Sequence, residues 1–306
     1  MNALSGRVVV VTGAGRGIGA AVAQLCAAEG AEVVVNDAGV AVDGSGHDAA
    51  PADEVVGRIT ARGAAAVAHH GDVAVTDDAD DLVHTAIREF GHLDVLINVA
   101  GIIRDVYLVD MTPDDWDAVI RVHLRGTFNT SRAAARHWRD EMRGNYRLIN
   151  TTSAAGYFGV PEKPNYAAAK MGIVGFTYAC ANSLMRYGVT ANAVAPSGST
   201  RMNGWKVRDH IPPENAAPAY VYLASTASSW LTGHVVAARD RTIRLLNRPH
   251  YIREVTTDDE RWQLGDVARA FEDVFRPAIA DEEKYNSYEQ AARQQARELF
   301  GAEFAL

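Results

Sequence analysis

Short, almost uninterrupted apolar runs alternate with longer stretches in which apolar side chains recur every three or four positions. The runs are "RVVVVTG" (7–13), "AEVVVND" (31–37), "AAAVAHHGDV" (64–73), "HLDVLINVAG" (92–101), "YRLINTTS" (146–153), "VTANAVAPS" (189–197) and "GHVVAAR" (233–239). Runs of this kind predict strands buried on both faces, as in a parallel sheet. The periodic stretches between them predict helices: 17–30, 52–63, 76–91, a long one from about 112, 165–184 and 214–225. Their punctuation agrees. "TDDADDLVHTAIREFG" opens on Thr and acids, which suit a helix N-terminus, and ends on Gly. Alternation of this kind predicts an α/β fold: one doubly wound, mostly parallel sheet with right-handed crossovers. Beyond about residue 240 the pattern turns mixed, then charged and helical. We expect one domain over 1–240 and a C-terminal extension, not an independent domain, over 241–306.

Two stretches carry chemistry. "TGAGRGIG" (12–19) follows the first strand directly and opens the first helix. Gly13 suits the sharp turn, Gly17 a close approach of a pyrophosphate, and Gly19 the packing of helix on sheet. The free N–H groups of the helix start favour phosphate. Asp37, at the end of the second strand, suits the ribose hydroxyls of an adenosine and repels a 2′-phosphate. The expected cofactor is therefore NAD. Arg16, in the glycine turn, is the residue that would reverse this preference. The second stretch is "YAAAK" (166–170). Four residues of helix place Tyr166 and Lys170 on one face, where an ammonium favours the ionised form of a phenol. Core packing of the tyrosine and snorkelling of the lysine form the competing reading of this pair.

Composition narrows the class. A net charge of −8 argues against retention on nucleic acid by general electrostatics. No apolar run is long enough for a membrane span, and the N-terminus has no secretory pattern, so a cytoplasmic location is expected. Cys26 and Cys180 have no metal-ligand spacing and read as small buried hydrophobes. No metal is expected.

Taken in order, "TGAGRGIG", "GDV" (71–73), "NVAG" (98–101), Ser153, "YAAAK" and "NAVAPS" resemble the short-chain dehydrogenase/reductase family over about residues 5–238. "VVVNDAG", "RVHLRGTF" and "APSGSTRM" are similar, more narrowly, to the dehydrogenase domain of peroxisomal multifunctional enzymes and its bacterial relatives. The resemblance implies a Rossmann-type sheet of about seven strands and a homodimer or homotetramer. It implies Tyr166 as general acid/base, Lys170 as the group that lowers its pKa and binds the nicotinamide ribose, and Ser153 as the hydrogen-bond donor to the substrate oxygen. It places Ile18 under the pyrophosphate and Asp72 and Val73 beside the adenine. Asn98, Ala100 and Gly101 would line the cofactor, and Thr200 would reach the nicotinamide amide. Pro196 to Thr200 is one residue shorter than the common family spacing. His123 stands where most of the family has Asn, and takes a supporting catalytic role here.

The expected activity is NAD-dependent oxidation of a secondary alcohol, a (3R)-hydroxyacyl-CoA or a steroid-derived substrate. The alternatives are a 3-oxoacyl reductase and a non-catalytic NAD-binding regulator. Arg201, Lys206 and Arg208 are candidates for CoA phosphates. Tyr157, Phe158, Val160 and Trp205 are candidates for an apolar wall.

Overall fold

A computed structural model of the chain describes residues 2–203, 211–281, 294, 295 and 298. The chain divides into two compact units, Met1–Leu246 and Asn247–Leu306.

The first unit is built on one sheet. Its strands are β1 (Val8–Thr12), β2 (Glu32–Asn36), β3 (Ala66–His69), β4 (Val95–Asn98), β5 (Tyr146–Thr151), β6 (Val189–Ser197), β7 (Val235–Arg239) and β8 (Thr242–Leu246). The spatial order is β3-β2-β1-β4-β5-β6-β7-β8. The first seven strands pair in parallel, and β8 runs antiparallel to β7. The seven-strand expectation thus gains an eighth strand, and the sheet runs on to Leu246.

β1 shows why the strands are continuously apolar. Val9 and Val11 pack into one core, with Ala20, Ala23 and Cys26 of helix α1 (Gly17–Ala28). Val8 and Val10 pack into the other, with Leu82 of α3 (Thr76–Phe90). Neither face meets water, so each buried valine contributes roughly 1.5–3 kcal/mol of transfer free energy. The first layer also holds α2 (Ala50–Thr60) and α8 (Ala217–Ala224). The second holds α5 (Gly126–Glu141) and α7 (Pro164–Leu184).

The long helix expected from residue 112 starts as α4 (Pro113–Ile120), capped by Thr112 and Asp115 in a reciprocal capping box. It passes through a π-turn at Arg121–Arg125 and continues as α5. A short helix, α6 (Ala154–Phe158), follows β5. The strand order reverses between β1 and β4, and ligands of such sheets bind at the carboxyl ends of the strands beside that switch point. None of the helices among the described residues is long and apolar enough to cross a membrane.

The second unit has helices at Leu264–Arg269 and Arg276–Asp281, joined by a π-turn over Ala270–Phe275. Phe271 and Phe275 meet edge to face there, with ring centroids 5.3 Å apart.

Candidate active site

A cavity of about 1010 Å3 opens at the carboxyl ends of the parallel strands. Every residue expected to serve catalysis or the cofactor lines it except Asn98.

The glycine turn forms one end. Gly13 has φ +62°, and a Cβ there would lie 2.6 Å from the Cα of Ala100. A Cβ on Gly19 would lie 2.1 Å from the Gly13 carbonyl oxygen, so α1 reaches the turn only because that carbon is missing. Gly17 has φ +53°, and a Cβ there would lie 3.2 Å from Thr200 Cγ2, which puts the late loop directly over the turn. The first turn of α1 has no side-chain cap and no acidic residue. Its N–H groups and its positive dipole end are thus left for an anion. A backbone cradle without Cβ atoms at an uncapped helix start suits a dinucleotide pyrophosphate.

Asp37 is buried beside this turn. It accepts the Gly15 N–H at 2.8 Å through Oδ2 and the Gly39 N–H at 2.7 Å through Oδ1. The carboxylate is therefore fixed before any ribose arrives, and each oxygen keeps a second lone pair. Arg16 is held on the neighbouring loop: Nη1 lies 3.4 Å from the Val40 carbonyl and Nη2 3.8 Å from Asp48. Arg201 donates to the same Val40 carbonyl at 2.9 Å. Asp72 is held by the Ala74 N–H and by Arg121, 2.9 and 2.8 Å away, and Asn129 holds the Val73 carbonyl at 3.1 Å. Thr12 supports the next loop, where its hydroxyl accepts the N–H groups of Val99 and Ala100. Sequence reasoning passed over Thr12 as part of a strand end.

Asn98 lies behind the cavity. It donates to Asn150 Oδ1 (3.0 Å) and to Ser131 Oγ (3.2 Å), and it accepts from Thr130 at 2.7 Å. Its amide ties β4 to β5 and α5, and is spent on that network.

Ser153, Tyr166 and Lys170 meet at the centre. Ser153 caps α6, its oxygen accepting the Ala155 N–H at 3.2 Å. Its own proton is left to donate, and Ser153 lies close enough to the Tyr166 hydroxyl to favour the phenolate. Lys170 is buried; Nζ donates to the Thr151 carbonyl at 2.8 Å and lies 5.4 Å from the Tyr166 ring centroid. Burial dominates the electrostatics of this pair. Burial pushes the Tyr166 phenol up to about 12, outweighing the effect of Ser153. Burial likewise pushes Lys170 down to about 7. Both groups are driven toward their neutral forms because desolvation acts on each, so a lysine one turn away does not by itself make an acidic phenol.

His123 sits in the π-turn and is buried. Nε2 lies 2.8 Å from the Ile102 carbonyl and 3.1 Å from the Ile102 N–H, bonding one or the other according to its tautomer, and Nδ1 has no partner among the described residues. Burial and the nearby Lys170 hold its pKa well below the usual imidazole range. The ring meets Tyr166 edge-on, centroids 5.0 Å apart. A Cβ on Gly101 would lie 2.2 Å from His123 Cε1. The imidazole thus packs behind Tyr166 and fixes the loop after β4, the position of a supporting group.

Tyr157 and Phe158 line the opposite wall, joined by Ala237, Arg239, Arg244, Leu245 and Leu246 of β7 and β8. The β8 contribution was not expected, its one signal being the alternation in 242–246. Val160 does not line the cavity, and Trp205, Lys206 and Arg208 lie outside the described residues.

A family model described as short chain dehydrogenase matches residues 7–210. The hydroxyacyl-CoA dehydrogenase ChsB1 of Mycobacterium tuberculosis is 38% identical over 288 residues, 89% of this chain and 89% of that protein. The peroxisomal hydratase-dehydrogenase-epimerase of Neurospora crassa is 45% identical over 197 residues, 64% of this chain but only 22% of its own length. A crystal structure of a short chain dehydrogenase from Mycobacterium avium superposes with a TM-score of 0.81 at 40% identity, covering 93% of this chain and 98% of that one. The glycine cradle at the switch point and the meeting of Ser153, Tyr166 and Lys170 thus accompany a match over most of the chain, which belongs to the short-chain dehydrogenase family of nicotinamide-dependent oxidoreductases acting on CH–OH groups.

Proposed function

We propose that the protein oxidises the secondary hydroxyl of a (3R)-hydroxyacyl-CoA, or of a steroid-derived substrate, with NAD. The observation that carries this reading is the convergence of Ser153, Tyr166 and Lys170 on the cavity that holds the glycine cradle. The thioester class follows from the relatives' names. In this reading Gly13, Arg16, Gly17, Ile18, Gly19, Asp37, Asp72, Val73, Ala100, Gly101, Lys170 and Thr200 hold the cofactor. A nicotinamide supplies the hydride acceptor. Ser153 holds the substrate oxygen, and Tyr166 takes the hydroxyl proton, or gives it back in the reductive direction. Lys170 fixes the Tyr166 ring from one side and His123 from the other. The chain works as a homodimer or homotetramer in the cytoplasm; the exposed Phe128 and Met171 on α5 and α7 supply an apolar face for self-association. The residues beyond β8, 247–306, are an extension of the catalytic unit and form no independent domain.

The direct test is cofactor reduction followed by absorbance with (3R)-hydroxyacyl-CoAs, hydroxysteroids and simple alcohols. Turnover of simple alcohols alone would defeat the substrate assignment.

The raised phenol sets a pH dependence. A group held near 12 is protonated at neutral pH, which suits proton donation to a ketone. Oxidation needs the phenolate, so above about 7, where Lys170 has given up its proton, its kcat/KM rises about tenfold per pH unit to about 9, whereas reduction, which needs the protonated phenol, does not rise. Steady-state rates in both directions measure this, and a level oxidation profile would remove Tyr166 as the base.

Cofactor choice is tested at Asp37. Asp37→Asn keeps one acceptor oxygen but removes the charge that meets a 2′-phosphate, with Arg16 and Arg201 close by. The NAD-to-NADP ratio of kcat/KM should fall at least about tenfold, since like-charge juxtaposition costs several kcal/mol. An unchanged ratio, or NADP preference in the unaltered protein, would refute this role.

A further inference from the structure

The β7–β8 hairpin gives the cavity a wall whose two ends differ. In an antiparallel pair, residues directly opposite share a face. Val235 faces Leu246, Ala237 faces Arg244, and Arg239 faces Thr242. Val235, Ala237 and Leu246 pack with Tyr157 in one apolar cluster, beside Val174 of α7. Further along the same face stand the two arginines. Both line the cavity with Ser153 and Tyr157. Arg244 is close enough for its charge to act on the Tyr157 phenol.

These cations are unlike the others around the cavity. Arg121 pairs with Asp72, Arg16 with Asp48 and Arg58 with Glu54, and Arg201 is spent on the Val40 carbonyl. Arg239 and Arg244 are exposed and form no ion pair with any of the described residues. Two guanidinium groups without an ion-pair partner among the described residues, standing together on one wall of a cavity, attract anions even in a chain of net charge −8.

We propose that Arg239 and Arg244 form an anion-recognition end to the substrate half of the cavity, holding a negatively charged group that the substrate carries beyond an apolar body next to its hydroxyl. On the function proposed above, on which only the identity of the anion rests, that group is a phosphate of coenzyme A. The arginines then determine specificity: they select a charged carrier over the same acyl group on a neutral one.

The experiment compares a (3R)-hydroxyacyl-CoA with the same acyl group on N-acetylcysteamine, a neutral thioester, in the unaltered protein, Arg239→Ala, Arg244→Ala and Arg244→Lys. The expected result is that each alanine variant loses at least about tenfold of its preference for the CoA thioester, chiefly through KM. The lysine variant should recover part of it, and the preference should shrink as salt is raised. Equal losses on both thioesters would overturn the proposal, because that is what general damage to the hairpin produces. A second measurement does not need turnover: calorimetric binding of free coenzyme A to the NADH-saturated protein. It should weaken by a similar factor in both alanine variants, and undiminished or absent binding in the unaltered protein and variants alike would overturn the assignment. If neither thioester is turned over, the proposed function fails, while calorimetry still decides whether the arginines hold the anion.

Discussion

Tyr166→Phe lowers kcat and kcat/KM together by about 10^2–10^4-fold, the usual contribution of a positioned acid/base. Affinity for the nicotinamide cofactor changes by no more than about threefold. The substitution removes one oxygen and leaves the ring. That ring keeps its edge-on contact with His123, at 5.0 Å and 87°, and its place 5.4 Å from Lys170 Nζ. Lys170 keeps its bond to the Thr151 carbonyl, so the buried amine is not orphaned. What disappears is the proton carrier beside Ser153. Single-turnover rates and cofactor titration on the same preparation separate the two effects. Retention of more than a tenth of the activity would leave Tyr166 a packing residue and revive the reading of the protein as a cofactor-binding regulator.

The largest effect on stability is expected at Trp138. It is fully buried on α5, stacks on Tyr146 at 5.3 Å and 18°, and donates from Nε1 to the Leu93 carbonyl at 2.8 Å. Trp138→Ala opens a cavity under β4 and β5 and strands a buried carbonyl, a loss of about 3–5 kcal/mol. In a chain of this size that corresponds to a fall in Tm of order 10 °C, read by calorimetry. The same helix carries Asn129, which holds the Val73 carbonyl, and Thr130 and Ser131, which hold Asn98. The adenine side of the cavity should therefore lose cofactor affinity alongside the melting shift. A variant that melts within about 2 °C of the unaltered protein would show that the core closes over the gap.

The strands and the glycine cradle were legible because each is a local property. Val8 to Val11 need no knowledge of their neighbours to read as doubly buried, and Gly13 and Gly19 announce close backbone approaches. What was not legible depends on partners distant in sequence. β8 reads as mixed because its burial is slight and its hairpin turns at Asp240–Arg241 without the usual Asn-Gly; Asp240 adopts φ +49° unaided. The alternation of "TIRLL" was the available signal. Asn98 sits inside a recognisable loop motif, yet its amide faces Asn150, 52 residues away. Arg147 looks like the water-facing position of a strand but is fully buried, solvated by the carbonyls of Tyr146 and Ser225 and by Asn145. The state of Tyr166 is a property of this kind too: spacing supplies the neighbour, whereas the degree of desolvation belongs to the whole fold.

The π-turn at Arg121–Arg125 acts as a phase adjuster within one rod. An inserted residue rotates everything before it by about 100° relative to everything after it. Upstream, the rod is clocked so that Val119 packs with Ile102 beside Tyr166; downstream, it is clocked so that Asn129, Thr130 and Trp138 face the sheet. A regular helix of the same length would satisfy one set and swing the other toward solvent. The catalytic neighbourhood and the structural core therefore share a single helix without sharing a single helical register.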